Sequence, residues 1–146
     1  MKKILTVLLL AISLCAVACA RDRHTRNVNE LPPAARSILK NNFKAKVSLI
    51  KIDADWGRVS EYEVILTDGT EVTFDRAGNW KEIDTGFSSY VPDKLIPKAI
   101  RDYVKANQKG TKIVGIEHDR KGYDVTLSNG IEMKFDNQGR FLRYDD

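Results

Sequence analysis

Cysteine and histidine, which carry much covalent, redox and metal chemistry, are scarce in this sequence of 146 residues. There are two cysteines, Cys15 and Cys19, and two histidines, His24 and His118. Both cysteines lie in the first 20 residues, so the rest of the chain has neither a disulfide framework nor a cysteine nucleophile. The G-x-S-x-G, H-E-x-x-H, C-x-x-C, G-x-G-x-x-G and Walker patterns are also absent. His24 falls in a basic tail, and we interpret His118 as a solvated turn residue. No spacing of acids singles out a catalytic pair, so the sequence predicts a protein that is not an enzyme and has no cofactor.

Long runs of like charge are missing as well. The 24 basic and 20 acidic side chains give a net charge of +4 and are interspersed along the chain. This mixture argues against a nucleic-acid partner. No D-x-[DN]-x-[DN]-G calcium loop occurs, and Asp75 and Asp136, which open D-x-x-G turns, are typical of residues that cap their own turn. The sequence therefore predicts no metal site.

The only long apolar run is at the start of the chain. Lys2 and Lys3 precede the apolar segment 4–14, and the small residues Ala18-Cys19-Ala20 follow. This arrangement is typical of a secretory signal over residues 1–20, cleaved after Ala20. An 11-residue run is too short for a transmembrane helix, which needs about 20 residues. Residues 16–19 also resemble a lipobox, in which Cys19 would carry a lipid anchor, although Ala16 stands where leucine is usual. We expect a periplasmic or secreted protein with a flexible N-terminal tail over residues 21–29.

The rest of the chain contains an internal repeat. The segment 62–80 recurs 61 positions later, and the matched pairs include Tyr62 with Tyr123, Gly69 with Gly130, and Phe74 with Phe135. So many matches at one offset predict two copies of one structural unit. We place the first copy at residues 30–84, a linker at 85–90, and the second copy at 91–146.

Each copy begins with a helical pattern after a proline and continues as alternating strands. The dipeptides Asp68-Gly69 and Asn129-Gly130 are typical of tight hairpin turns. The sequence predicts an α+β fold in which each copy has one helix and four antiparallel strands. Because free sheet edges are hazardous, we expect one eight-stranded sheet with both helices on one face. The residues predicted to face the helices are Tyr62, Val64, Leu66, Val72 and Phe74, with Tyr123, Val125, Leu127, Met133 and Phe135.

The repeated pattern resembles a known family. It reads Y-[ED]-V-x-L-x-[DN]-G-x-E-x-x-F-D-x-x-G-x-[WF], preceded by a helix that opens with [LV]-P. It is similar to the PepSY-like, beta-lactamase-inhibitor-like proteins of bacterial envelopes. The resemblance implies an exported protein with a fold like that of the beta-lactamase inhibitor protein, in which two helix-plus-sheet repeats form one curved sheet. It also implies, by analogy of fold, a role in inhibiting a peptidase. The family supplies no catalytic residues.

Function is then expected on the sheet face opposite the helices. The candidate binding residues there are Glu61, Glu63, Glu71, Asp124, Glu132 and Lys134. Trp56 is added because it lies in a loop where no alternation requires a core aromatic; it either anchors a partner or folds back onto the sheet. The sequence predicts a non-catalytic protein- or peptide-binding module, such as an inhibitor or regulator of an envelope hydrolase. The alternative is a periplasmic sensor that responds to calcium or a small ligand.

Overall fold

The structure is a computed structural model, and it describes residues 22–145. The predicted signal at 1–20, its cleavage after Ala20 and the alternative lipid anchor on Cys19 lie outside the described residues. None of the helices within 22–145 combines the length and the apolar character needed to cross a membrane.

Two α-helices, two short 3₁₀ turns and nine strands make up the described part of the chain. The helices are α1 (Pro33–Asn42) and α2 (Lys98–Asn107), and the 3₁₀ turns are Val28–Glu30 and Asp93–Leu95. The strands are β1 (Arg23–Thr25), β2 (Val47–Asp55), β3 (Arg58–Leu66), β4 (Glu71–Asp75), β5 (Trp80–Asp84), β6 (Ile113–His118), β7 (Tyr123–Leu127), β8 (Glu132–Phe135) and β9 (Phe141–Asp145).

All nine strands form one antiparallel sheet, in which spatial order follows chain order from β1 to β9. An α-helix followed by four strands occurs twice along the chain. The two sets of strands join where β5 pairs with β6 and Ile83 lies opposite Ile116. The prediction of an α+β fold with a single joined sheet is therefore confirmed.

The ninth strand corrects the prediction of eight. Residues 23–25, which we placed in a flexible tail, pair with β2, and Arg23 lies opposite Ile52. The strand is fastened to the 3₁₀ turn that follows it, because Arg23 pairs with Glu30 and Thr25 Oγ1 donates to Glu30 Oε1 over 2.6 Å. This strand covers the edge that β2 would otherwise expose. Three polar residues show no apolar alternation, so the sequence did not reveal it.

The core lies between the helices and one face of the sheet. Ala35 and Leu39 of α1, with Ile100 and Val104 of α2, belong to the same buried cluster as the inward side chains of the strands. Nine of the ten strand residues predicted to face the helices are buried. The exception is Tyr123, which is only partly buried.

Tyr123 stacks on His118, with 4.2 Å between the ring centroids. The interpretation of His118 as a solvated turn residue is therefore wrong. It ends β6 directly opposite Tyr123 and is half-buried.

Candidate binding face

The sheet face opposite the helices carries an unbroken cross-strand row of polar side chains. Residues directly opposite one another in neighbouring strands project to the same face. The pairing register aligns one residue from each of the strands β2 to β9: Lys51, Glu63, Thr73, Glu82, Glu117, Asp124, Lys134 and Arg143. We call this set the first row. From β2 to β8 each member is next in the chain to a buried core residue, so the face is the one turned away from the helices.

A second row runs beside the first. It consists of Glu71, Asp84, Gly115, Thr126, Glu132 and Asp145, one from each of the strands β4 to β9. Five of its members are polar, and the sixth, Gly115, has no side chain. The second row therefore has a gap at β6, beside the junction of the two halves of the sheet.

Ion pairs neutralise the acids toward the two ends of the first row. Lys51 Nζ lies 2.7 Å from Glu63 Oε1, and Lys134 Nζ lies 2.8 Å from Asp124 Oδ2 and 3.1 Å from Asp145 Oδ2. The hydrogen bond to Glu63 raises the pKa of Lys51, and the hydrogen bond to Asp124 raises the pKa of Lys134. Exposed pairs of this kind contribute about 0–1 kcal/mol each to folding.

The middle of the face has acids without such partners. Glu82 lies directly opposite Glu117 where β5 meets β6, and Glu71 lies directly opposite Asp84. Within residues 22–145, none of these four has a basic side chain at salt-bridge distance. We call them the junction carboxylates. Partial burial, followed by the charges of Glu117 and Asp84, raises the pKa of Glu82. Like charges placed directly opposite each other destabilise a sheet, so this arrangement costs the fold stability.

Neutralising Glu82 should stabilise the protein at neutral pH. A raised pKa means that the folded state holds the proton more tightly than the unfolded state, so stability is lost as pH rises through that pKa. We expect Glu82→Gln to raise the free energy of unfolding by about 0.5 kcal/mol at pH 7, and the gain to shrink as the pH falls toward about 4 and the carboxyl of Glu82 takes up its proton. Urea melts at the two pH values measure this. Glu63→Gln, which removes the partner of Lys51, should be destabilising at pH 7, and a loss of stability in Glu82→Gln at pH 7 would contradict the argument.

A groove of about 400 Å³ opens over Gly115 on the same face. Its lining includes Phe87, Asp84, Thr126 and Glu132. We call it the Gly115 groove. Phe87 lies in the turn that follows β5, where Gly86 has a φ of 56° and Phe87 a φ of 62°. The Ser88 N–H donates to Thr85 O over 3.0 Å and closes this turn. The Phe87 side chain is thereby kept out of the core and remains 60% exposed.

The six strand residues proposed from the sequence all lie on this face. Asp124, Glu132 and Lys134 line the Gly115 groove, whereas Glu61, Glu63 and Glu71 line a neighbouring depression that also includes Glu82 and Glu117. Lys81 Nζ pairs with Glu61 Oε2 over 2.9 Å at the edge of that depression.

Among the residues of the face that sequence reasoning missed are Glu82, Asp84, Glu117 and Phe87. A signal existed for the acids, because Glu82 and Asp84 flank the apolar Ile83, and Glu117 follows the apolar Ile116. This alternation places them on the face away from the core. No local pattern indicated Phe87.

Trp56 does not fold back onto the sheet. It lies at the tip of the β2–β3 hairpin and is 90% exposed. Trp56 has a φ of 51° and Gly57 a φ of 76°, as a two-residue type I′ turn requires. A bulky residue with positive φ is strained. The packing alternative for Trp56 is therefore wrong, and its role as an anchor stays a prediction.

Replacing Trp56 with asparagine should stabilise the hairpin. Asparagine tolerates the left-handed conformation, so we expect Trp56→Asn to raise the free energy of unfolding by about 0.5–1 kcal/mol in urea melts. Trp56→Ala keeps the strain and should bring no such gain. A loss of stability on Trp56→Asn would mean that the indole contributes packing that its exposure does not reveal.

The aspartates of the D-x-x-G turns cap their own backbone, as predicted. Asp75 Oδ1 accepts from the N–H groups of Ala77 and Asn79, each over 2.9 Å. Asp136 Oδ1 accepts in the same way from Gln138 and Arg140. The bond from the Arg140 N–H is the main cause that lowers the pKa of Asp136. In the part of the chain that the structure describes, no three His, Cys, Asp or Glu residues are grouped so as to hold a metal ion.

Comparisons with known proteins agree with this architecture. A family model described as "Putative beta-lactamase-inhibitor-like, PepSY-like" matches residues 60–143. A "putative periplasmic protein of unknown function" from Bacteroides vulgatus is 46% identical, with a TM-score of 0.80 over 86% of this chain and 100% of that one. A "putative calcium-regulated periplasmic protein" from Bacteroides thetaiotaomicron is 39% identical, with a TM-score of 0.79 over 86% of this chain and 97% of that one. A search of curated proteins gave no match.

Proposed function

Because this chain belongs to the PepSY-like, beta-lactamase-inhibitor-like family, we propose that it is a periplasmic, non-catalytic binding module. It holds a basic protein or peptide segment against the sheet face opposite its helices. The observation that carries the proposal is the set of junction carboxylates, which lie unpaired in the middle of an exposed face. Periplasmic location is supported by the signal pattern at residues 1–20 and by the descriptions of the similar structures.

The charge distribution favours a basic partner. The chain as a whole carries a net charge of +4, yet this face concentrates acids at its centre. The lysines of the first row are held by Glu63, Asp124 and Asp145, so they do not neutralise the junction carboxylates. A positively charged partner would relieve the repulsion between these acids, and complementary charge speeds association and selects against acidic partners.

Binding through this face could inhibit an enzyme without any chemistry on the module. A partner whose basic surface surrounds its active site would be blocked when that surface docks on the sheet. The family description supports this narrower reading. The six residues predicted from the sequence would contribute to the docking surface, together with Glu82, Asp84 and Glu117.

Capture from envelope extract with matched charge variants tests the proposal. We compare the chain with the double variant Glu82→Gln/Glu117→Gln and with a control, Asp93→Asn/Asp102→Asn, which removes the same charge from exposed positions on the helix side of the molecule. The original chain and the control should retain a basic protein that is released by moderate salt, because exposed charges are screened. The double variant should lose it. If the double variant retains the same protein equally well, the proposed face is wrong.

A second function, a response to calcium, is supported by the description of the Bacteroides thetaiotaomicron protein and by the junction carboxylates. No three acids of residues 22–145 are grouped around a common point, so calcium would have to draw them together. If this function holds, about 1 mM calcium, the range of weak extracellular sites, should raise the melting temperature, and Glu82→Gln/Glu117→Gln should abolish the increase. If the protein is the binding module alone, calcium should leave the melting temperature unchanged.

A further inference from the structure

We infer that the Gly115 groove binds the side chain of an arginine from the docked segment, with the guanidinium stacked against Phe87 and facing the acids of the rim. This inference rests on the proposed function, since it names the position on the face where a basic partner is recognised. Three observations carry it: the shape of the groove at Gly115, the exposed ring of Phe87, and the unpaired charge around both.

The backbone does not require glycine at position 115. Gly115 does not have positive φ, unlike eight other glycines within residues 22–145. A Cβ added there would lie 3.4 Å from Thr126 Cβ and 3.8 Å from Ile83 O, which is ordinary contact. The neighbouring irregularity in β6 falls between Ile113 and Gly115, and Gly115 itself is paired opposite Thr126. A glycine inside a strand commonly marks a place where a ligand approaches the backbone closely. Here its effect is to keep the floor of the groove open.

The turn after β5 holds Phe87 at the side of this floor. Besides the closing bond to Thr85 O, the Gly86 N–H donates to Asp84 Oδ1 over 2.8 Å, and Ser88 Oγ donates to Thr85 O over 2.6 Å. The aromatic ring therefore lies in a fixed turn next to a carboxylate, although it is mostly exposed. A ring face beside acids attracts a cation, and the planar guanidinium of arginine stacks on aromatic rings better than the ammonium of lysine.

The negative charge around the groove also favours an arginine guanidinium. Glu82, Asp84, Glu117 and Glu132 line it and are not in ion pairs with any described residue. The one basic side chain in its lining, Lys134, is held between Asp124 and Asp145. An arginine that entered would find an aromatic wall for its planar group and carboxylates that accept hydrogen bonds from its five N–H groups.

Titration with a tetra-arginine peptide, followed by amide NMR of the whole chain, tests the inference. We expect saturable shifts at Gly115, Phe87 and Thr126, and weaker binding of tetra-lysine. Phe87→Asn removes the ring and also relieves the positive φ, so the protein should fold while its affinity for tetra-arginine falls by about fivefold, in the range of a cation–π contact. Gly115→Ala, which places a methyl group on the floor, should also weaken binding. Tyr90→Ala, at an exposed aromatic residue beside α2, should leave the affinity unchanged.

The outcomes separate this inference from the proposed function. If shifts are confined to Glu63, Glu71 and Thr73, which line the neighbouring depression and not the groove, and Phe87→Asn binds as tightly as the original chain, the arginine groove is wrong and the docking face stands. If tetra-lysine binds as well as tetra-arginine and does not need Phe87, the groove is also wrong, since charge alone accounts for binding. If no residue of the face shifts, and Glu82→Gln/Glu117→Gln retains the captured basic protein as well as the original chain does, the arginine groove and the docking face are both wrong.

Discussion

Truncating Phe74 or Phe135 to alanine is expected to lower the free energy of unfolding by about 3–5 kcal/mol, the range for a buried aromatic. Phe74 is 0% and Phe135 1% exposed, and they occupy matching positions in β4 and β8. The Phe135 ring packs edge-on against the rings of Tyr103 of α2 and Phe141, with 5.6 Å and 5.8 Å between the ring centroids. Each truncation would leave a cavity between a helix and the sheet. Urea melts of the two variants measure the loss directly.

Glutamates of the same two strands provide the control. Glu71 and Glu132 are exposed on the opposite face, so Glu71→Ala and Glu132→Ala should change the free energy of unfolding by no more than about 0.5 kcal/mol. The four variants together test which face of the sheet is buried. If the glutamate variants lost stability and the phenylalanine variants kept it, the assignment of the faces would be inverted, and the proposed binding face would be wrong with it.

The buried faces of β3, β4, β7 and β8 were predictable because apolar and polar side chains alternate regularly along these strands. Side chains alternate with a period of two, and a slip of one residue would expose the whole apolar set. The turn dipeptides fix that phase: Gly69 has a φ of 87° and Gly130 a φ of 84°, as tight hairpins demand. Tyr123 escaped the pattern because its neighbour across the strand is His118, whose ring stacks on it at the margin of the core.

The centre of the candidate site depends on a pairing that no local pattern determines. Alternation alone places Glu82 and Glu117 on the outer face of their strands. Only the register between β5 and β6, in which Ile83 lies opposite Ile116, sets the two carboxylates against each other. More than 25 residues, including α2, separate the two strands in the chain. The side of the sheet on which Phe87 emerges likewise depends on its turn, whose conformation is unusual for phenylalanine.

The glycines of the two D-x-x-G turns, Gly78 and Gly139, were also only partly predictable from the sequence. The sequence predicted the turn, but the contact with the helix came from the structure. A Cβ on Gly78 would lie 2.8 Å from Pro32 Cβ and 2.9 Å from Ala35 N, and a Cβ on Gly139 would lie 3.0 Å from Ala99 Cβ. Both glycines have positive φ, 90° and 75°. Each therefore allows its turn to lie directly against the first turn of a helix.

Gly122→Ala, which adds a single methyl group, is expected to cause one of the larger losses in the free energy of unfolding of this chain. Gly122 has a φ of 146°, a region that is nearly restricted to glycine, and an added Cβ would lie 2.0 Å from Phe135 O and 2.9 Å from Asp136 Cα. Both neighbours are backbone atoms of β8 and the turn after it, so no side-chain rotation relieves the overlap. The start of β7 would have to separate from β8. We expect a loss of more than about 3 kcal/mol in the free energy of unfolding, since backbone strain and lost sheet pairing add.

Gly130→Ala is the matched control for Gly122→Ala. Gly130 also has positive φ, 84°, and lies in the hairpin turn at the other end of β7, but nothing lies within 4 Å of a Cβ added there. The free energy of unfolding of Gly130→Ala should therefore fall only by the conformational cost of placing alanine in a left-handed conformation, about 1–2 kcal/mol. Circular dichroism melts of both variants give the comparison even if Gly122→Ala is only partly folded at room temperature. Equal losses in the two variants would contradict the argument. They would show that β7 and β8 can separate at Gly122 at little cost, so that the close approach of their backbones contributes little to the stability of the pair.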